Sequence, residues 1–167
     1  RNTSTEMYAA DNYTSNMEGN FVVIGGPGEE EGDGNRICKI FMEKMKGKIS
    51  YSADCEKLLY NGKKYKATKK KNKTTMDYGY FARFPNPFNP NSTVILINGI
   101  HTFGVLGAAK AFSDHPSAQG NIRKVLKKLN LDNIKQASFE SFFPVYVFQQ
   151  TVVCPNIDEK HIFPLTK

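Results

Sequence analysis

The chain has 167 residues, 40% of them hydrophobic, and a formal net charge of +7, which suits one ordinary domain with a single core. No apolar run approaches the roughly 18 residues that a membrane-spanning helix needs, so the sequence excludes a protein of that kind. The three cysteines form neither an even disulfide framework nor a C-x-x-C zinc spacing. We therefore expect a reducing, cytoplasmic compartment.

Residues 1–19 are polar, rich in Asn, Thr, Ser and Glu, and lack the periodicity of a helix or a strand. Because the chain begins at Arg1 rather than Met, we expect this segment to be a linker from an upstream domain or membrane anchor, or the trimmed start of a single-domain protein. The domain itself is then expected to span residues 20–167.

The first predicted strand is Phe21–Ile24, followed by the segment Gly25-Gly26-Pro27-Gly28 and an acidic loop. Asn35 is a good helix N-cap, and apolar residues recur after it at helical spacing. The loop lacks the spacing of a G-x-G-x-x-G or P-loop motif, and its carboxylates would repel a phosphate. We expect them to stabilise the helix N-terminus or, as the weaker alternative, to hold a divalent cation; they are Glu29, Glu30, Glu31 and Asp33.

A basic stretch, residues 57–73, carries eight lysines and no acid, so the charge of the rest is +7 minus 8, about −1. Asn61-Gly62 between two strand-like runs predicts a hairpin insertion with a type I′ turn. Lysines alternate there with Tyr60 and Tyr65. This pattern is typical of surfaces that contact nucleic acid or another polyanion, and also of an exposed edge that lysines keep soluble.

Aromatic residues from Asp77 to Phe84 predict another strand, and the three prolines in residues 85–90 predict a stiff loop after it. If this strand is antiparallel to the apolar strand that follows, Arg83 lies away from the end of that strand. If the two are parallel or offset, Arg83 could clamp an anion there. Beyond residue 112 the pattern predicts an amphipathic helix at residues 121–129, one long strand at residues 144–153, and a tail.

The central feature is a predicted strand, turn and helix from Val94 to Phe112. Its first four residues are too apolar for an exposed sheet face, Asn98-Gly99 ends the strand, and small residues from Gly104 onward favour a helix pressed against a sheet. Ligands of open parallel sheets bind where strands end and helices begin. The turn itself carries no acid, which suits an anionic ligand, while His101 can titrate near neutral pH and Thr102 can cap the helix or bind a phosphate.

In outline, residues 21–28 and 94–107 resemble the strand–loop–helix units of Rossmann-like nucleotide-binding domains. The resemblance implies an α/β fold, a single three-layer domain whose central sheet is mostly parallel and carries a β-hairpin insertion. It also implies a nucleotide or other phosphorylated ligand near the glycine-bearing strand ends. The full set of candidate ligand-binding residues is Gly25, Gly26, Asn35, Arg36, Arg83, Asn98, Gly99, His101, Thr102 and Gly104.

The sequence contains no G-x-S-x-G motif and no histidine obviously paired with His101. It therefore favours a small-molecule-binding or sensor domain of a larger protein. The alternatives are a hydrolase or transferase acting on a nucleotide-like substrate, and a nucleic-acid-binding protein that uses the basic hairpin. The sequence names no cofactor, no particular ligand and no metal-ligand set.

Overall fold

The computed structural model describes residues 5–9, 16–28 and 34–165, so the predicted cation site at residues 29–33 lies outside the described residues. The helices are α1 (Arg36–Met45), α2 (Thr102–Ala111) and α3 (Pro116–Leu129). The strands are β1 (Phe21–Ile24), β2 (Ser50–Tyr51), β3 (Lys57–Tyr60), β4 (Lys63–Lys66), β5 (Thr68–Lys70), β6 (Lys73–Asn86), β7 (Asn89–Gly99), β8 (Phe139–Phe148), β9 (Thr151–Val152) and β10 (Ile162–Pro164). Within the described ranges, no helix is long and apolar enough to cross a membrane.

The main sheet has the strand order β1-β7-β6-β8-β10, with β5 added beside β6 and β9 beside β8. Among the described strands only β1 and β7 are parallel, and the other pairings are antiparallel. The predicted Rossmann-like layout with a mostly parallel sheet is therefore wrong. The sheet is mixed and curls into a half-barrel, while β2, β3 and β4 form a separate antiparallel sheet.

The apolar run in β7 comes from burial on both faces rather than from parallel neighbours. Val94 and Leu96 face a core shared with α1 and the small sheet, whereas Ile95 and Ile97 pack against a core shared with α2 and α3. A strand covered on both faces has a continuous apolar sequence in either kind of sheet. The run therefore predicted the burial of β7 correctly but left the direction of its neighbours open.

The proline-rich segment is a hairpin and not the predicted stiff loop. β6 continues through Asn86 and β7 begins at Asn89. Pro85 lies opposite Thr93 where the register of the pair shifts, a position that tolerates a residue without an N–H. Because so short a connection can join only antiparallel strands, it excludes a mostly parallel arrangement at the centre of the sheet.

The segment before β1 is bound to this hairpin. The Asn86 amide donates to the carbonyl oxygens of Met17 and Gly19, each at 2.7 Å. The Asn89 amide donates to the carbonyl of Glu18 at 3.0 Å. The last described residues of the expected linker are thus bound to the sheet.

Several predicted elements are confirmed, among them β1, the helix that Asn35 caps, and the hairpin at Asn61-Gly62. β3 and β4 are paired, and Asn61 and Gly62 have φ of 49° and 74°, as a type I′ turn requires. The small sheet packs onto the main one, with the ring of Tyr65 4.7 Å from that of Phe142.

The late apolar run is two strands, and the single long strand predicted there is wrong. β8 ends at Phe148 and β9 begins at Thr151, with a turn between them. Gln149 and Gln150 form that turn with φ of 47° and 62°. Neither residue is a usual turn signal, so the composition gave no indication of the break.

A carboxylate is buried in the core on the α1 side of the sheet. Glu140 in β8 is fully buried, and it accepts a hydrogen bond from the Tyr80 hydroxyl at 3.1 Å and another from the backbone N–H of Lys48. Burial raises the pKa of Glu140 above its ordinary 4.5, although these hydrogen bonds act in the opposite direction.

We expect Glu140→Gln to change how stability depends on pH. A carboxyl group whose pKa is raised by folding contributes fully below its unfolded pKa, and its contribution is lost as pH rises through the folded value. The stability of the wild type relative to the Gln variant should therefore fall as the pH rises above about 4, the ordinary range of a Glu carboxyl group, measured by urea denaturation. Glu43→Gln, at an exposed position of α1, is the control and should stay within about 0.5 kcal/mol of wild type. A relative stability that rises with pH would contradict the assignment.

Candidate functional site

A cleft of about 720 Å³ opens at the carboxyl ends of β1 and β7. Because Phe21 lies opposite Val94 and Ile24 opposite Ile97, the two strands are parallel and their glycine-bearing ends point the same way, as the sequence predicted. The strand ends, the loop before β3 and the first turns of α2 all contribute to its walls. The residues that line the cleft include Ile24, Gly26, Tyr51, Asp54, Cys55, Glu56, Gly99, His101, Thr102, Val105, Leu106 and Ala109.

Four of the ten candidate residues line this cleft, namely Gly26, Gly99, His101 and Thr102. The other six lie elsewhere, and most of them have structural contacts of their own. They are Gly25, Asn35, Arg36, Arg83, Asn98 and Gly104. Arg36 is exposed at the first position of α1.

Arg83 lies away from the cleft, on the side of the sheet that faces α3. β6 is antiparallel to β7, and Arg83 pairs with Ile95 rather than with the end of the strand. Its Nη1 donates to the carbonyl oxygen of Ala137 at 2.5 Å. Of the two arrangements that the sequence left open, the structure has the one that takes Arg83 away from the turn.

Asn35 joins the start of α1 to the end of β1. Its Oδ1 accepts the N–H groups of Ile37 at 3.0 Å and Cys38 at 3.1 Å, and its Nδ2 donates to the carbonyl of Ile24 at 3.0 Å. Its backbone N–H donates to the carbonyl of Gly26 at 2.9 Å. Asn35 is thus a capping residue that fixes the rim of the cleft, with its side chain fully engaged.

Asn98 is buried beneath the glycine-rich loop, and its side-chain amide lies 3.0 Å from the Cys38 sulfur. With its nitrogen turned towards the strand ends, the amide donates to the carbonyls of Gly25 at 2.8 Å and Ile97 at 3.1 Å, and its oxygen faces the thiol. Burial raises the pKa of Cys38 to about 12, so this thiol stays protonated. Asn98 therefore connects the two parallel strands from below the cleft.

Gly99 allows β7 and α2 to meet at very short range. A Cβ atom at this position would lie 2.3 Å from the backbone nitrogen of Val105 and 2.4 Å from the carbonyl carbon of Gly104. No side chain fits in that space. This close approach places His101 and Thr102 at the mouth of the cleft.

The turn from Asn98 to Gly104 carries no acid of its own, but β6 places the Asp77 carboxylate beneath the N-terminus of α2. One carboxylate oxygen accepts the N–H groups of Gly104 at 2.6 Å and His101 at 3.2 Å, and the other accepts that of Tyr78 at 2.7 Å. Burial raises the pKa of Asp77 above its ordinary 3.8, while these hydrogen bonds oppose the rise. A carboxylate thus already occupies part of the helix terminus that would attract a phosphate.

Besides Tyr51 and Cys55, the ionisable side chains among the described residues that line the cleft are two carboxylates, Asp54 and Glu56, and one imidazole, His101. His101 Nε2 lies 3.5 Å from a carboxylate oxygen of Glu56. Asp54 pairs with Lys57 at 2.8 Å, and that hydrogen bond, with others from Ser52 and the Glu56 N–H, holds the pKa of Asp54 well below its usual range. No lysine or arginine is among the described residues that line the cleft. The described lining of the cleft is therefore acidic rather than basic.

Sequence reasoning missed the acidic side of this cleft. Glu56 and Asp54 lie more than forty positions before His101, in a loop without a recognisable motif. Asp77 stood out only as the first residue of the predicted strand that ends at Phe84. The one local signal was an acid in a strand whose other residues, apart from Arg83, are apolar, aromatic or glycine, which is a sign of a specific polar role.

No protein-family model, curated protein or solved structure matches this chain. Within the described ranges, no group of three or more His, Cys, Asp and Glu side chains is arranged to hold a metal ion.

We expect Asp77→Asn to lower the free energy of unfolding by about 2 kcal/mol, because the amide presents a donor where the carboxylate accepted buried N–H groups. Urea denaturation near neutral pH measures this loss. Asp114→Asn removes an exposed carboxylate just after α2 and should change stability by no more than about 0.5 kcal/mol. Equal losses in the two variants would contradict the capping role of Asp77.

Proposed function

We propose that the chain is a small-molecule-binding domain, the sensor part of a larger protein, and that its ligand occupies the cleft between β1, β7 and α2. The observation that carries the proposal is the meeting of two parallel strand ends and a helix N-terminus around about 720 Å³ of open volume. Ligand pockets typically enclose about 300–1,000 Å³ and combine apolar walls with a few polar groups. Here Ile24, Val105 and Leu106 supply apolar surface, and His101 and Glu56 supply polar groups.

The charges of the cleft support a cationic ligand. A phosphate would meet Glu56, and Asp54 paired with Lys57, without a lysine or arginine among the described lining residues. Asp77 already accepts N–H groups of the α2 terminus. An amine or guanidinium group could pair with Glu56 in place of His101, whose contact with that carboxylate is long at 3.5 Å. The proposed ligand is therefore a small molecule with an apolar body and one cationic group. The nucleotide-like ligand expected from the sequence stays a prediction, and the test below includes it.

The link between the cleft and the rest of the domain supports a sensor role. Gly26 lines the cleft, and its carbonyl oxygen accepts the backbone N–H of Asn35, the residue that caps α1. A ligand that moves this loop would therefore act directly on the start of α1. Such a coupling needs only a difference in ligand affinity between two positions of the loop.

A hydrolase or transferase is the second candidate, and the pairing of His101 with Glu56 favours it. A carboxylate at one nitrogen of an imidazole orients the ring and leaves the other nitrogen to accept a proton. The substrate would be the same class of molecule that fits the cleft.

We expect the melting temperature of the protein to rise with alkyl amines, polyamines or guanidinium compounds and to respond less to nucleotides, because binding to the folded state stabilises it. For a cationic hit, Glu56→Gln should weaken affinity about tenfold through loss of its charged partner, measured by calorimetry. Ala109→Trp should abolish binding by filling the cleft, since Ala109 is an exposed residue of its wall. Glu43→Gln, outside the cleft, should bind as wild type.

The outcomes separate the parts of this proposal. No response to either class of compound would overturn small-molecule binding, and a response to nucleotides alone would overturn the cationic ligand. Incubation of each hit with the protein, followed by chromatography, tests for turnover. Product that forms with wild type and is lost in His101→Asn would replace the sensor role by the enzymatic one.

A further inference from the structure

β6 and β8 extend past the end of β7, and two short strands widen the sheet there. The last pair between β6 and β7 is Gly79 with Gly99, whereas β6 begins at Lys73 and β8 continues to Phe148. β5 pairs with the start of β6, and β9 with the end of β8. We call this four-stranded extension, β5-β6-β8-β9, the platform.

Two exposed aromatic rings stand on one face of the platform. Tyr146 and Phe148 are 65% and 69% exposed, and alternate residues of a strand share a face. Tyr146 lies opposite Met76, which in turn lies opposite Thr68 of β5. Because neighbouring strands are about 4.8 Å apart, the backbone of β5 lies only about 10 Å from Tyr146. Lys69 lies opposite Thr74, two residues before Met76, whereas Lys70 lies opposite Lys73 and so points to the other face, at the edge of the sheet. The lysine-rich strand therefore borders the surface that carries the rings.

Lysines dominate the charge around these rings. The platform lysines, as we call Lys69, Lys70 and Lys71 of β5 and its turn, are all exposed, as are Lys64 and Lys66 of the neighbouring β4. β4 packs beside β6, with the ring of Tyr65 5.5 Å from that of Tyr78.

Among the residues that the structure describes, the strands of the platform expose no acidic side chain. The only acids in the strands of the platform are Asp77 and Glu140, and both are fully buried. The first acids after β9 are Asp158 and Glu159, which pair with Lys160 at 2.7 Å and Lys127 at 3.3 Å. The charge of the platform is therefore uniformly positive, and a polyanion would meet no exposed carboxylate on its strands.

We propose that the platform binds single-stranded nucleic acid, with bases stacked on Tyr146 and Phe148 and phosphates held by the platform lysines. Exposed rings next to a basic strand are the combination that single-strand binding needs, because every base has a face to stack and every nucleotide a phosphate. In a duplex the base faces are already covered by neighbouring bases. The platform therefore fits a single strand better than a duplex. This activity is independent of the small molecule proposed for the cleft.

The rings are tested by fluorescence anisotropy with labelled oligo(dT) and oligo(U) on the full chain. We expect Tyr146→Ala combined with Phe148→Ala to weaken binding at least about tenfold, since each stacked base contributes substantially to affinity. The control combines Tyr8→Ala and Val22→Ala, side chains outside the platform that are 58% and 62% exposed, and should bind as wild type. Circular dichroism melting checks that each variant is folded.

The lysines are tested through the salt dependence of the same binding. Changing the three platform lysines to Gln should reduce the slope of log affinity against log salt by about 2, since each phosphate contact on a single strand contributes about 0.7. The control changes Lys39, Lys44 and Lys128 to Gln, exposed lysines of α1 and α3, and should leave the slope unchanged. The net charge changes equally in both variants.

Three results would overturn the proposal. They are no oligonucleotide binding at about 50 mM salt, equal losses in the platform and control variants, and duplex binding as tight as that of the single strand. In the first of these cases, binding to vesicles of anionic lipid would indicate a membrane surface instead. Ala109→Trp, which fills the cleft, should bind oligonucleotides as wild type, so failure at one site is distinguishable from failure at the other.

Discussion

The structure depends on one contact, at which the Asp77 carboxylate holds the N-terminus of α2 against β6 and the end of β7. The approach is so close that a Cβ at Gly104 would lie 2.2 Å from the carbonyl oxygen of Tyr78, and one at Gly79 would lie 2.9 Å from that of Gly104. Glycine and a buried acid therefore determine where α2 begins. Because α2 forms one wall of the cleft, the same contact sets the position of His101 and Thr102.

The elements predicted correctly are those whose signals are local. Asn35 indicated the start of α1, and Asn61-Gly62 indicated the turn between β3 and β4. The directions of the strands in the sheet, in contrast, are not determined by local signals. The direction of the strands next to β7 depends on the short turn near Pro87 and on the antiparallel register of β8 with β6. The prolines of that turn predicted a loop instead of a hairpin. The apolar composition of a strand indicates that it is buried, but it hardly indicates whether its neighbours are parallel or antiparallel.

The residues of the candidate site likewise fall into those that local sequence signals predict and those that only the tertiary fold brings to the cleft. The glycine, histidine and threonine of the turn after β7 could be found because they follow a predicted strand directly. Glu56 reaches the cleft through the fold of the small sheet, and Asp77 through the pairing of β6 with β7. Arg83 is a candidate that the fold takes away from the cleft, because its position depends on β6 being antiparallel to β7. The charge of the cleft therefore depends on the tertiary fold, and the acid-free turn in the sequence gave no sign of the carboxylates that the fold brings to it.

The net charge of +7 is distributed unevenly, and two regions of the surface carry charge of opposite sign. The cleft is lined by carboxylates and an imidazole, whereas the platform and β4 carry exposed lysines. The cleft and the platform both lie at the end of the sheet where β7 ends. The cleft opens beside Gly99, and the platform begins where β6 extends past the partner of Gly99. Charges exposed to solvent interact over only about 8–10 Å at physiological ionic strength, so the charges at each region, and not the net charge of the chain, govern which ligand that region would attract. The two ligands that we propose, a small cation in the cleft and a single-stranded polyanion on the platform, are therefore of opposite charge, and each complements the charge of the region it would occupy.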